Sequence, residues 1–254
     1  MTIKTLILGG TTEASALALA VQDDARFDPL LSYAGATRSP RPAPIPWRVG
    51  GFGGAVGLAA FLREGGFDAL IDATHPFASQ MKRNAVEAAK LTGIAFLAIN
   101  RPAWTPHAGD EWAMVPNMQA AAEAIGEESR RVLLTIGQKD LAAFRAAPQH
   151  AYLVRSVDPP APESMPPNAI SLPLRGPFRL EDELALLESH RIEVIVTKNS
   201  GGSATEPKLE AARRLGIRIV MVERPIPPDW QTTARDAGEA LAWLHHLAST
   251  KRGA

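Results

Sequence analysis

No cysteine occurs among the 254 residues. Its absence excludes disulfides, thiolate zinc sites and cysteine nucleophiles. Net charge is missing as well: 27 lysines and arginines balance 27 aspartates and glutamates. A nucleic-acid partner needs a basic face, so that class is not expected, although local basic clusters still suit a small anion. No apolar run is long enough to span a bilayer, and the chain enters its first strand-like run without a basic-then-apolar leader. A cytoplasmic protein with no membrane partner is the expectation. There is no strong repeat and no low-complexity segment beyond a bridge with five prolines in nine residues, 159–167. Nothing in this composition sets an oligomeric state. What is present is a hydrophobic fraction of 46%, ample for one large α/β domain or two small ones.

The chain is organised around Leu6-Ile7-Leu8-Gly9-Gly10-Thr11-Thr12-Glu13-Ala14. An apolar run, a glycine turn and a stretch of helix formers make the opening unit of a nucleotide-binding α/β domain. Thr11 or Thr12 can cap the helix. The full dinucleotide fingerprint is incomplete, and Glu13 in the first helical turn repels a phosphate. The loop therefore suits hydroxyls, a ring, or no ligand at all. The second strand, 29–34, runs into Gly35-Ala36-Thr37-Arg38 without the acid that favours NAD. Arginine in its place favours the 2′-phosphate of NADP; the plain alternative is a solvated loop arginine. Arg48-Val49-Gly50-Gly51-Phe52-Gly53-Gly54 has four glycines in five residues, which lets backbone N–H groups line a close surface or simply forms a turn.

Ala69 to Phe77 places Asp72-Ala73-Thr74-His75 at the end of a strand, with Pro76 expected to open a helix to about Leu91. His75 either gives a ligand a proton or hydrogen bond, or caps that helix. A strand over 94–99 leads to Asn100-Arg101-Pro102-Ala103-Trp104, a lid, a ligand wall or a plug over the core. Trp112 to Val115 is a short strand leaving the first domain, and 117–131 is helical. A second series then begins with strands at 132–136 and 152–155, and Leu172 to Phe178 precedes a charged helix over 180–189. A strand at 193–197 delivers Lys198-Asn199-Ser200-Gly201-Gly202-Ser203 and, further on, Lys208. This is the richer anion-binding candidate, although its spacing is not that of a Walker loop. Ile217 to Val222 is followed by Glu223-Arg224-Pro225, and the last helix is expected over 236–247. Every notable polar loop follows a strand, where open α/β sheets bind ligands. The expected fold is α/β, with two Rossmann-like domains, 1–125 and 126–254, whose parallel sheets face a shared cleft. Arg38, Arg175, Lys198, Lys208 and Arg224 would line it and suit a polyanionic small molecule.

LILGGTTEA, SYAGATR, RVGGFGG, LIDATHPFA, RPAW, GPF and TKNSGG followed by a lysine occur in this order. Together they resemble the precorrin-6A reductase family of cobalamin biosynthesis over nearly the whole chain. The resemblance implies that NADPH reduces one double bond of the precorrin-6A macrocycle to give precorrin-6B, with no metal and no protein nucleophile. It implies a tetrapyrrole substrate held by Gly53, His75, Arg101, Arg175, Lys208 and Arg224. Cofactor contacts fall on Gly9, Gly10, Thr11, Thr12, Glu13, Arg38 and Thr74, with Lys198, Asn199, Ser200, Gly201, Gly202 and Ser203 at the pyrophosphate. The reverse assignment gives that second loop to substrate carboxylates. The proton comes from His75, a bound water or the substrate itself. Three alternatives stay open: a cobalt-containing substrate, a tetrapyrrole synthase without nicotinamide, and a non-catalytic NADP sensor.

Overall fold

A computed structural model describes residues 2–35, 42–230 and 232–252; Arg38 lies outside them. The chain runs β1 (Ile3–Leu8), α1 (Thr12–Val21), β2 (Phe27–Tyr33), β3 (Trp47–Val49), α2 (Gly54–Glu64), β4 (Ala69–Asp72), α3 (Ser79–Thr92) and β5 (Ala95–Ile99). It continues with β6 (Trp112–Val115), α4 (Met118–Ala124), β7 (Arg131–Thr135), a 3-10 run (Gln138–Ala146), β8 (Ala151–Ser156) and β9 (Ala169–Pro173). Then come α5 (Leu180–Ser189), β10 (Val194–Lys198), α6 (Pro207–Leu215), β11 (Arg218–Val222), β12 (Thr233–Ala234) and α7 (Ala237–Arg252).

Two compact units result: Met1–Pro102 with Pro225–Ala254, and Ala103–Arg224. The division is thus not the expected one near residue 125. The reason is where two segments bury their apolar residues. β6 pairs in parallel with β11, whereas Ala240, Leu244 and Ala248 of α7 pack with Leu17 and Val21 of α1. The first sheet has the order β12-β5-β4-β1-β2-β3 and the second β6-β11-β10-β7-β8-β9. Both are the doubly wound order 3-2-1-4-5-6. In each sheet, the sixth place goes to the strand that follows the other sheet's fifth strand in the chain.

β1 shows why these runs become strands. Ile3 and Ile7 join the core under α1 and α7, whereas Leu6 and Leu8 join the core under α2 and α3. A strand buried on both faces reads as a continuous apolar run because successive side chains serve opposite layers. Register then gathers the loops of the first sheet: Leu8 pairs with Ser32 on one side and Asp72 on the other. In the second sheet Thr197 pairs with Thr135 and Lys198 with Val222.

Local differences from the sequence reading have local causes. Pro76 does not open α3, because the Ala78 N–H bonds the His75 carbonyl at 2.8 Å and makes a turn before Ser79. Between β7 and β8 the connection Gln138–Ala146 is a 3-10 run. β3 and β12 are strands of three and two residues, too short to show a period. Among the described residues no helix is long and apolar enough to cross a membrane.

Candidate active site

In the first unit the glycine turn is shaped by what it touches. A Cβ at Gly9 would lie 2.7 Å from Leu31 Cδ1, and Gly10 has φ +114°, so both positions favour glycine. Thr11 is the N-cap of α1. Its Oγ1 accepts from the Ala14 N–H at 3.2 Å and donates to the Ala73 carbonyl at 2.7 Å, which ties this turn to the end of β4. The N–H groups of Thr12 and Glu13 find no acceptor among the described residues. Glu13, read as hostile to phosphate, is neutralised: Arg101 Nη1 lies 2.5 Å from its Oε2, the two side chains 13% and 15% exposed. Glu13 and Arg101, assigned to different ligands from sequence, therefore act on each other.

Asp72 is fully buried. It accepts from the Thr74 N–H at 3.0 Å, from Thr74 Oγ1 at 2.6 Å and from Lys82 Nζ at 3.3 Å. The Thr74 hydroxyl is thus spent on positioning the turn. His75 is half-buried, and its Nδ1 accepts from the Phe77 N–H at 3.2 Å. The neutral ring therefore carries its proton on Nε2, and an imidazolium would have to give up the Phe77 bond. The glycine stretch after β3 is organised by Arg48, which sequence reading left without a role. Its guanidinium reaches Ser32 Oγ at 2.9 Å, the Gly50 carbonyl at 2.9 Å and the Gly51 carbonyl at 3.3 Å, and lies 4.3 Å from the centre of the Phe52 ring. Gly53, with φ +79°, is the N-cap of α2.

In the second unit the loop after β10 is held by its carbonyls. Arg224 donates to the carbonyls of Asn199 at 2.7 Å and Ser200 at 2.9 Å. The Phe178 N–H takes that of Ala204 at 3.1 Å, and Lys208 Nζ takes that of Thr205 at 2.6 Å. The Asn199 side chain faces inward, accepting from the Trp104 N–H at 2.9 Å and donating to the Trp104 carbonyl at 3.0 Å. Gly201 and Gly202 have φ +64° and +83°. The N–H groups of Gly201, Gly202 and Ser203 meet no acceptor among the described residues. A loop with occupied carbonyls and spare N–H groups is a place for a phosphate or carboxylate. Lys198 Nζ lies 2.5 Å from Asp140 Oδ2, so an anion here meets a paired lysine. Arg175 is exposed on the loop after β9.

Lys208, expected at the substrate, is buried in α6 and 2% exposed. Its neighbours include the buried Arg155–Glu183 pair at 2.7 Å. Burial, with the Arg155 charge adding, pushes the Lys208 ammonium down to about 7, while Glu183 and Glu206 oppose the shift. The unfolded chain holds this proton up to about 10.5 and the folded chain releases it above about 7. The unfolded state then binds more protons across that window, so this group's contribution to stability rises with pH from about 7 to about 10.5. Urea titrations of Lys208→Met and its parent are expected to show the variant more stable at pH 6.5, by a margin that narrows by pH 9.5. A margin independent of pH would contradict this.

The model of the family described as "Precorrin-6x reductase CbiJ/CobK" matches residues 4–245. A "Precorrin-6A reductase" of Sinorhizobium sp is 49% identical over 241 residues, 95% of this chain and 92% of that one. A "Cobalt-precorrin-6A reductase" of Priestia megaterium is 32% identical over 232 residues, 87% of this chain and 90% of that one. A solved structure titled "CobK precorrin-6A reductase" superposes with a TM-score of 0.92 at 45% identity, covering 97% of each chain.

Proposed function

The chain belongs to the precorrin-6x reductase CbiJ/CobK family, and we propose that it is a cytoplasmic NADPH-dependent oxidoreductase reducing one double bond of precorrin-6A to give precorrin-6B in cobalamin biosynthesis. One observation carries the cofactor half of this reading. The carboxylate that would repel a phosphate at the start of α1 is paired with Arg101 at 2.5 Å, and the N–H groups of Thr12 and Glu13 remain available beside it. The residues present therefore fit a dinucleotide. The metal-free macrocycle is favoured over the cobalt form, because identity is 49% to a relative named for the former and 32% to one named for the latter.

NADPH, when bound, supplies the hydride. The chain's own residues supply position and charge. Gly9 and Gly10 let the backbone approach the cofactor, and Thr11 fixes that backbone against Ala73. Arg38 takes the 2′-phosphate. The loop from Lys198 to Ser203 takes an anionic group, the cofactor pyrophosphate in this reading, with a macrocycle carboxylate as the other source of the same chemistry. Arg175 and Arg224 meet substrate carboxylates through their charge, and Gly53 leaves room for the ring. His75 is the proposed source of the proton that completes the reduction. As the donor His75 starts as the imidazolium, with Nδ1 protonated and the Phe77 N–H bond given up, and passing the proton on returns the neutral ring, whose Nδ1 can accept from Phe77 again.

The test is NADPH oxidation by the purified protein with metal-free precorrin-6A, with its cobalt form, and with neither. Consumption that depends on the metal-free macrocycle supports the reading; binding without consumption returns the sensor alternative. In the same assay Arg38→Ala is expected to raise the KM for NADPH about tenfold or more and to leave NADH within about twofold, as loss of a charged phosphate contact would. Equal losses for the two cofactors would remove Arg38 from the 2′-phosphate.

A further inference from the structure

Two lysines occupy the same place in the two sheets. Lys82 lies ten residues after Asp72, and Lys208 ten residues after Lys198. Asp72 and Lys198 each end the strand in fourth position, and each lysine stands in the helix that follows, 3% and 2% exposed. Each ammonium donates to a carbonyl of the intervening loop, Lys82 to Thr74 at 3.5 Å and Lys208 to Thr205 at 2.6 Å. Each also faces an indole ring, that of Trp230 at 5.2 Å and that of Trp104 at 4.5 Å.

Their counter-ions differ. Lys82 has the Asp72 carboxylate at 3.3 Å. In the second sheet that position is Lys198, whose ammonium turns to Asp140. Lys208 has no bonded carboxylate among the described residues. The charged groups facing it are Arg155 on β8, Glu183 on α5 and Glu206 before its own helix. Arg155 and Glu183 are bonded to each other, and Glu206 acts on Lys208 only through its charge, so the bonds of the ammonium go to the Thr205 carbonyl and not to a carboxylate. A buried cation without a partner destabilises a fold, and an unbranched apolar side chain would fill the same space. Packing therefore does not account for it, and what it holds does.

We propose that Lys208 is a positioning residue for the anion loop, drawing the Thr205 carbonyl into the core so that the N–H groups of Gly201, Gly202 and Ser203 are presented together to a phosphate or carboxylate. This rests on the reading that the loop takes an anionic group. Lys208 completes the set begun by Arg224 on Asn199 and Ser200 and by Phe178 on Ala204. It occupies the carbonyl nearest α6 in that set, at the end of the short 3-10 turn Ser203–Thr205.

Steady-state kinetics and melting temperatures of Lys208→Met and Lys208→Gln test this with NADPH and precorrin-6A. Lys208→Met is expected to raise the KM for NADPH about tenfold, with kcat within about threefold and the melting temperature no lower than the parent's. Lys208→Gln keeps an N–H donor for the Thr205 carbonyl and is expected to recover part of the loss. It also carries the test should the methionine variant not fold. A rise in the KM for precorrin-6A instead supports the positioning role and assigns the loop to a macrocycle carboxylate. Unchanged KM values for both substrates, or a fall in kcat alone, overturn the role of Lys208. So does a loss of both affinities that tracks a lower melting temperature. If the parent itself neither binds nor oxidises NADPH with precorrin-6A, the functional reading fails first and takes this one with it.

Discussion

Lys82→Met lowers the free energy of unfolding by about 3–5 kcal/mol, the usual effect of removing one partner from a buried ion pair. Asp72 has no exposed surface and keeps only its two bonds from Thr74 once the ammonium is gone. A carboxylate left in that state has lost water and gained no opposite charge. Urea titration at neutral pH measures the loss. The contrast with the second sheet makes the expectation sharp. Lys208→Met, at the corresponding helix position, removes a charge that has no bonded carboxylate among the described residues and is expected to leave stability equal or higher. Similar losses for the two variants would show that the Asp72 pairing is not what separates them.

Gly57→Ala is expected to destabilise the chain by about 2 kcal/mol and to weaken cofactor-dependent turnover with it. An added Cβ would lie 1.7 Å from the Phe52 carbonyl oxygen, so backbone must move. Overpacking against backbone lies near the top of the ~1–3 kcal/mol range for such substitutions, whereas replacing glycine by alanine within a helix returns about 1 kcal/mol. The steric term wins. The displaced segment is the glycine stretch itself, because Phe52 packs edge-on to Phe61 and lies beneath Arg48. Thermal melting together with the KM for both substrates checks this. A variant as stable as its parent would mean that Phe52 can withdraw freely.

The sheets were legible because a strand buried on both faces leaves an apolar run, as at Leu6–Leu8 and Val194–Val196. Loops after those strands were legible for the same reason: their polar residues stand out against the run before them. The swap of edge strands was not. β12 has only two residues, and no local period says that Trp112 to Val115 pairs forward with β11. The matching order of the two sheets was equally hidden, since topology can repeat where residues do not. Partners were the other blind spot. Glu13 reads as an obstacle to phosphate until Arg101, 88 positions later, is found on it. Lys82 and Lys208 did leave a signal: each is the lysine on a helix stripe otherwise buried through small or apolar residues, Ala85, Ala88 and Ala89 in one case, Leu209, Ala211 and Ala212 in the other. A charge on such a stripe must find a partner inside, and only the fold says which.

The most direct measurement of the central claim is the mass of the product formed under anaerobic conditions from metal-free precorrin-6A and NADPH carrying deuterium at the transferable position. A product heavier than precorrin-6A by one deuterium and one solvent hydrogen, formed in step with cofactor oxidation, is the expected result. Oxidation of the cofactor with an unchanged macrocycle, or a reduced macrocycle without the label, would contradict direct hydride transfer by this chain.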